Sequence, residues 1–460
     1  MAGVGFSLRA LRYDGTYGSL LRQYGIAALI SSGPWLMSIL TLLVIGVVGR
    51  SLALPPAQLE RFQVCVTWLF ASSLVWTGPW QLMFTRFSAD REYLDEGDQI
   101  LPNLIGALSA CAVCSACLSA AAWPLFAGES LALKLCLAGA FIVLCQVWLV
   151  VVVLNGLRAY GAVLGCFASG YAMTFGMCMG LSPHGVPGLL AGFAIGQSTL
   201  LFSALWVLYR RVPASGELSF DFARRRALRI DLGLIGLAYN LGVWVDKLIF
   251  WFSASTSRAV LGPFRASEVY DLPIFLAYLT SVPAMAVFLT RVETDFAEKH
   301  AVFYSAVRNG ASLLRLEAHS DALTAAARRA ISDIVRIQAF VLIGCFALGR
   351  QLLHTFGISE LHLPLFYIDA TGVSLQVVLL AVTSMFFYLD KRREVLLLTG
   401  LLLFSNALLT AATLAVGPEL YGYGFAIATG ISSLCGVLQL DRAFTHLLRD
   451  TFLLQPVKPC

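Results

Sequence analysis

Residues 24–48 read YGIAALISSGPWLMSILTLLVIGVV, an apolar run broken by Ser31-Ser32-Gly33-Pro34-Trp35. A membrane-crossing helix needs about 20 apolar residues, so the run is long enough to span. Pro34 lacks an N–H and its ring collides with the carbonyl one turn back, which predicts a kink there. Ser31 and Ser32 can satisfy the freed carbonyls, and Gly33 lets a neighbouring backbone approach. The same tripeptide returns as Gly78-Pro79-Trp80 in the middle of the next apolar run. Broken helices at membrane depth belong around a cavity or a moving joint rather than against lipid. Gly33, Pro34, Gly78, Pro79 and, in the second half, Pro283 are the expected hinge residues.

Composition agrees with this reading. Hydrophobic residues make up 58% of the 460, charged residues only 13%, and the mean hydropathy is +0.78. A soluble domain carries about 25% charged residues, so the chain reads as a polytopic membrane protein. The opening Met1-Ala2-Gly3-Val4-Gly5-Phe6 is not expected to act as a signal peptide, because the apolar run that follows is too long. Most of the eleven cysteines lie inside apolar runs, where Cys packs as a small hydrophobe. Cys111, Cys114 and Cys117 share a helix face, but no His or carboxylate lies nearby, so neither a metal nor another cofactor is expected. The net charge of +5 is spread over loops and points to no nucleic-acid partner.

The apolar runs place spans at about 24–48, 62–87, 100–126, 131–154, 161–181, 187–209, 230–252, 269–290, 334–353, 364–389, 394–416 and 420–444. The expected fold is therefore all-α: twelve transmembrane helices in two six-helix bundles, 1–209 and 230–460. A basic linker, 210–229, joins them. Gly5 to Leu11 is expected to lie as an amphipathic segment on the inner leaflet. The longest polar stretch, 291–335, has charges at helix-like spacing, Ala-rich runs and no Pro, which predicts a cytoplasmic helical insertion. With both termini in the cytoplasm, about 25 of the 32 Lys and Arg fall on the inner side and about 6 outside. Lys247 lies within a span. The two halves also share a signature: Gly78-Pro79 is followed by Thr85-Arg86 and Asp90, and Pro283 by Thr290-Arg291 and Asp295. A mid-span Pro followed by Thr-Arg-x-x-x-Asp in both halves is the mark of parallel repeats.

The stretch Met1 to Arg9, with Leu20-Leu21-Arg22, Tyr24-Gly25 and Leu29 to Trp35, resembles the N-terminus of the PelG-like proteins. These are inner-membrane transporters of Pel exopolysaccharide systems in Gram-negative bacteria. They are similar to the polysaccharide flippases of the multidrug/oligosaccharidyl-lipid/polysaccharide superfamily, with a MATE-type fold of two six-helix bundles. The resemblance implies three partners: a cytoplasmic glycosyltransferase using UDP-sugars, a membrane receptor for cyclic di-GMP, and a TPR-containing membrane protein. It implies a polysaccharide substrate, location in the bacterial inner membrane, and no catalytic residues.

A glycan pathway needs aromatic faces and hydrogen-bonding side chains, for which Trp35, Trp76, Trp80, Gln81, Tyr239, Asn240 and Trp244 are the candidates; ordinary core packing is the plain alternative. Asp246 and Lys247 lie within the seventh span, where charge is costly and must face a cavity or a partner. Neighbours on a helix point about 100° apart, so the two need not pair with each other. Glu268 and Asp271 are candidate partners for Lys247, and Asp369 reads as interfacial. Arg86 with Asp90, and Arg291 with Asp295, either anchor the inner ends of their helices or form a basic inner mouth. The segments 210–229 and 291–335 offer surface for the glycosyltransferase. Three readings follow: polysaccharide transport, by alternating access or through a continuous conduit between the two bundles; a drug or lipid-linked oligosaccharide exporter of the same fold; and a non-conducting scaffold for a synthase. An enzyme is disfavoured, since His184, His300, His319, His354, His362 and His446 are scattered and no paired acidic motif appears.

Overall fold

The computed structural model describes residues 17–52, 54–157, 159–224 and 229–453. The amphipathic segment Gly5 to Leu11 lies outside them, as do the side chains of Pro34 and Trp35.

Every apolar run of the sequence is helical. The elements are α1 Tyr17–Ser51, α2 Pro56–Tyr93, α3 Ile100–Ala122, α4 Leu131–Gly156, α5 Tyr160–Leu181, α6 Gly185–Arg211 and α7 Ile230–Phe252. A short hairpin, β1 Arg258–Leu261 and β2 Phe264–Ala266, follows. Then come α8 Glu268–Leu279, α9 Val282–Thr290, α10 Ala297–Arg308, α11 Leu313–Thr355, α12 Leu363–Tyr388, α13 Arg392–Val416, α14 Tyr423–Thr445 and α15 Leu447–Leu453. Among the described residues, 8 helices are long and apolar enough to cross a membrane, or 10 if each of two bent pairs is one span. One of the eight, Gly161–Arg211, contains both α5 and α6, parted by the turn Ser182–His184.

The chain divides into two compact units. One holds Gly33–Trp244 and Phe250–Glu268; the other holds Val245–Ile249, Val269 onward, and the described part of Met1–Ser32.

In the first unit small residues let backbones touch. Gly188, Gly192 and Gly196 recur every fourth position on α6, and a Cβ on any of them would run into α5 at Leu181, Cys178 or Thr174. This small-residue stripe is how membrane helices gain close packing where lipid is as apolar as the core. Gly78 of α2 and Gly236 of α7 meet in the same manner: a Cβ on Gly78 would stand 2.6 Å from the Gly236 carbonyl oxygen. Helix α2 runs unbroken through Pro79. The polar stretch after α6 is laid against the start of α3. Ser215 N–H donates to the Asp98 carbonyl at 3.0 Å and Ser219 N–H to the Pro102 carbonyl at 3.1 Å. Asn103 accepts from Phe222 N–H at 3.1 Å. Gly106 makes this possible, because a Cβ there would collide with the Ser219 carbonyl.

The hairpin departs from the all-helical expectation. Its strands pair Arg258 with Ala266 and Leu261 with Phe264 across a turn at Gly262, φ +51. Trp68 of α2 stacks on Phe264 at 5.1 Å and donates from Nε1 to the Arg265 carbonyl at 2.9 Å. Three- and four-residue strands give too little alternation to stand out from a loop, so helix α2 supplies the support.

In the second unit α12 is buried on most of its surface. Helices α8 and α9 meet at a 41° bend around Thr280 and Ser281. Pro283 falls in the first turn of α9, where a missing N–H costs nothing. A π-helical turn, Arg291–Phe296, carries α9 into α10. The polar stretch 291–335 is helical throughout apart from the turn at 309–312, and α11 runs on from it into the next apolar segment without a break.

Candidate functional site: a buried charged cluster

The second unit encloses three charged side chains, Asp246, Lys247 and Asp369, together with Tyr270, Asn406 and Thr410. Lys247 reaches back to its neighbour, its Nζ lying 3.0 Å from Asp246 Oδ2 and 3.3 Å from Oδ1. The two do pair: the long flexible lysine side chain curls across the 100° that separates their Cα–Cβ bonds. Tyr270 OH donates to Asp246 Oδ2 at 2.7 Å, and Asn406 Nδ2 to Oδ1 at 3.4 Å. Asn406 is held in turn by Thr410 Oγ1 at 2.9 Å. Lys247 also donates to Tyr278 OH at 3.4 Å, and Tyr278 OH donates to Gln376 Oε1 at 3.1 Å. The Tyr278 and Phe425 rings lie 5.1 and 5.3 Å from the ammonium, within cation–π range. Four helices, α7, α8, α12 and α13, thus supply one connected network.

Asp369 of α12 is different. It is fully buried within the protein, and neither carboxylate oxygen makes a hydrogen bond among the described residues. Its charged neighbours are Asp246 and Lys247. Gly422, at φ +83, brings the backbone before α14 against it: a Cβ at Gly422 would lie 2.8 Å from Asp369 Oδ1. A buried carboxylate with no donor is costly unless it serves a purpose. Glu268, expected near Lys247, instead pairs with Arg258 of the hairpin at 2.6 Å.

The expected aromatic and amide residues with described side chains, and Arg86 with Asp90, fall in the first unit, whereas Pro283, Arg291 and Asp295 fall in the second. Trp76 and Trp80 pack half-buried against its core. Gln81 Nε2 donates to Thr77 Oγ1 at 2.9 Å, and Thr77 to the Ser73 carbonyl at 2.7 Å. Ser73 Oγ accepts from Trp148 Nε1 at 2.9 Å. The half-buried Asn240 donates from its amide to the Gly236 carbonyl at 2.9 Å, beside Gly78. The Trp244 ring lies 6.1 Å from Trp251, and Tyr239 is half-buried. Both Thr-Arg-x-x-x-Asp signatures close an ion pair: Arg86 with Asp90 at 2.9 Å, and Arg291 with Asp295 at 2.9 Å. Arg291 has a further partner in Asp333 of α11, at 2.8 Å.

The family model described as "PelG: Putative exopolysaccharide Exporter (EPS-E)" matches residues 1–452. The chain belongs to the PelG family. No curated protein matches the chain. Among solved structures, an outward-facing multidrug-resistance MATE-family transporter of the MOP superfamily is similar, with TM-score 0.63 and 14% identity over 92% of this chain and 96% of that one. The inward-facing form of such a transporter matches with TM-score 0.59 and 13% identity over 92% and 95%. A MOP-superfamily transporter from Pyrococcus furiosus, described as having a binding pocket of reverse polarity, matches with TM-score 0.66 and 14% identity over 92% and 96%. At that identity the likeness shows the fold. Family and fold together point to a multi-pass membrane transporter rather than an enzyme.

Proposed function

We propose that the chain moves a Pel-type exopolysaccharide from the cytoplasm to the periplasm across the inner membrane of a Gram-negative bacterium. The observation that carries this reading is the family match over 1–452. In this reading all twelve apolar helical segments span, with both termini in the cytoplasm, as the distribution of Lys and Arg favours. The MATE fold is solved in outward- and inward-facing forms, which supports alternating access. Trp35, Trp76, Trp80, Gln81, Tyr239, Asn240 and Trp244 are the proposed glycan contacts, and Arg86 with Asp90 and Arg291 with Asp295 the proposed inner-mouth residues. The buried charges of Asp246, Lys247 and Asp369 offer a place where an ion gradient can act on the second unit.

The proposed partners are a cytoplasmic glycosyltransferase that uses UDP-sugars, a cyclic di-GMP receptor in the membrane, and a TPR-containing membrane protein. The direct test uses inside-out vesicles holding the chain and its synthase partners, supplied with nucleotide sugar. Polymer protected from added glycosidase is the expected result. Polymer that stays fully digestible means a scaffold. Efflux of small cationic drugs with no protected polymer means an exporter of the other kind. In the same vesicles, Asp246→Asn and Lys247→Ala proteins that insert yet export fully would remove the buried pair from the mechanism.

A further inference from the structure

Two buried carboxylates share the interior of the second unit, and their surroundings treat them differently. Asp246 is saturated with donors. Its Oδ2 accepts from Lys247 at 3.0 Å and from Tyr270 at 2.7 Å, and its Oδ1 faces Lys247 at 3.3 Å and Asn406 Nδ2 at 3.4 Å. Thr410 fixes the sense of the Asn406 amide by donating to its Oδ1 at 2.9 Å. The ammonium and the amide nitrogen offer only hydrogens to Asp246, a setting that suits a carboxylate anion.

Asp369 is equally buried and has no donor among the described residues. Apolar side chains close the space beside it: a Cβ at Gly422 would stand 2.8 Å from Asp369 Oδ1, 2.6 Å from Leu365 Cδ1 and 3.3 Å from Ile368 Cγ2. The charged groups that act on Asp369 are Asp246 and Lys247 of α7, and Tyr270 of α8 is a further titratable neighbour. Helix α13 contributes the neutral Asn406 and Thr410 to the cluster. Buried Tyr421 adjoins Gly422 ahead of α14. Helix α11 meets α12 at Gly349, against the Tyr367 ring, and the Tyr367 hydroxyl donates to the Phe346 carbonyl at 3.1 Å.

One ammonium set against two carboxylates leaves one negative charge over. An enclosed charge is costly unless something meets it. A metal cation needs several oxygen ligands, and among the described residues no group of three or more His, Cys, Asp or Glu is placed to hold one. A proton needs one carboxylate oxygen.

We infer that Asp369 is the proton-carrying group of the second unit, with Asp246 kept as the fixed anion of Lys247. Two carboxylates in one enclosure thus take two roles, set by their donors. Uptake joins a proton from water to the carboxylate and gives a carboxylic acid, with no other reactant. Release leaves two carboxylates competing for one ammonium. Lys247 is able to follow the charge, because its other contacts are loose: Tyr278 OH at 3.4 Å and the Phe425 ring at 5.3 Å. Phe425 also packs on α12 at Gly372, one turn from Asp369. Gain or loss of the proton therefore biases the ammonium between α7 and α12. That this proton drives polymer export rests on the proposed function; that Asp369 holds it does not.

The test begins with infrared spectroscopy of the full chain in a detergent without carbonyl groups. At neutral pH the wild type is expected to show a carboxylic-acid C=O band that Asp369→Asn lacks. Replacing sodium by choline is expected to change neither the band nor the melting temperature. Lys247→Met, which strands Asp246, is expected to add a second acid band. No band lost in Asp369→Asn overturns the inference, as does sodium that removes the band and raises the melting temperature of the wild type alone. The second arm uses inside-out vesicles with the synthase partners. An acid-interior gradient is expected to raise protected polymer severalfold in the wild type and not in Asp369→Asn. An equal rise in both overturns the role of Asp369 in coupling. The band with no protected polymer under any gradient sinks the export reading and leaves the proton site standing.

Discussion

The ammonium of Lys247 lies 3.0 Å from the carboxylate of Asp246, its neighbour in the chain, and both are shut inside the second unit. A buried pair of this kind adds little net stability, but removing one member strands the other. Asp246→Asn and Lys247→Met are each expected to destabilise the detergent-solubilised protein by about 3–5 kcal/mol. The double variant Asp246→Asn/Lys247→Met should regain most of the loss. Thermal melting followed by tryptophan fluorescence checks this; a double-variant loss equal to the sum of the two single losses would mean that the charges are not coupled.

Asp369 is expected to behave in the opposite way. It has no hydrogen-bond donor to lose among the described residues. Asp369→Asn should therefore melt at or above the wild-type temperature while lowering export severalfold, if the carboxylate serves transport rather than folding. A variant that melts normally and exports normally places Asp369 outside the mechanism.

The helices were legible, but of the site only Asp246 and Lys247 were, for a physical reason. Spanning length and hydropathy are local, so the runs at 131–154 and 364–389 became α4 and α12 with little change. The network around Asp246 is assembled from a distance: Asn406 lies 160 residues away, and Tyr278 lies 31 residues from Lys247. Nothing in the sequence near Asn406 sets it apart from any polar residue in an apolar run. Asp369 falls early in its run, six residues after the start of α12 at Leu363, and nothing local shows that it is enclosed by protein. The backbone at Gly422, which covers it, comes from a segment about 50 residues further on. Gly78, by contrast, was noticed for its pairing with Pro79, whereas its visible contact is with Gly236.

That contact gives a prediction free of any transport assay. A Cβ on Gly78 or Gly236 would intrude on the facing backbone, whereas one on Gly139 meets nothing within 4 Å. Gly78→Ala and Gly236→Ala are each expected to cost about 1–3 kcal/mol by overpacking. Gly139→Ala, in the interior of α4, should be neutral or slightly stabilising. Denaturation in mild detergent compares the three; a tolerated Gly236→Ala would mean that the two backbones separate easily.

The stretch after α6 offers a further check. Gly106→Ala should push the Ser219 carbonyl away from α3 and expose residues 213–224 to protease, with the helices intact. The contact also has a pH dependence. The Ser219 hydroxyl donates to the Asp221 carboxylate at 2.6 Å, and this bond holds Asp221 below the usual carboxylate range. A depressed folded-state value contributes stability that is present above the unfolded value, about 4, and is lost as pH falls through the lower folded one. Protease sensitivity in this stretch should therefore rise on acidification below about pH 4, and a Ser219→Ala protein should lose much of that dependence.

The two Thr-Arg-x-x-x-Asp signatures look alike in sequence, yet they should not respond alike. The pair of Arg86 and Asp90 is more than a third exposed on both sides, and a solvent-screened i,i+4 pair contributes under about 1 kcal/mol. Asp333 is less exposed and receives Arg291 Nε at 2.8 Å and Arg336 at 3.5 Å, which ties α11 to the π-helical turn. Asp90→Ala should leave the melting temperature nearly unchanged, whereas Asp333→Ala should lower it measurably. If these arginines form the inner mouth, Arg86→Ala should cut polymer export severalfold without a matching loss of stability. If they only anchor helix ends, export should track stability across the series, with Asp333→Ala the worst of the set and Arg86→Ala close to wild type.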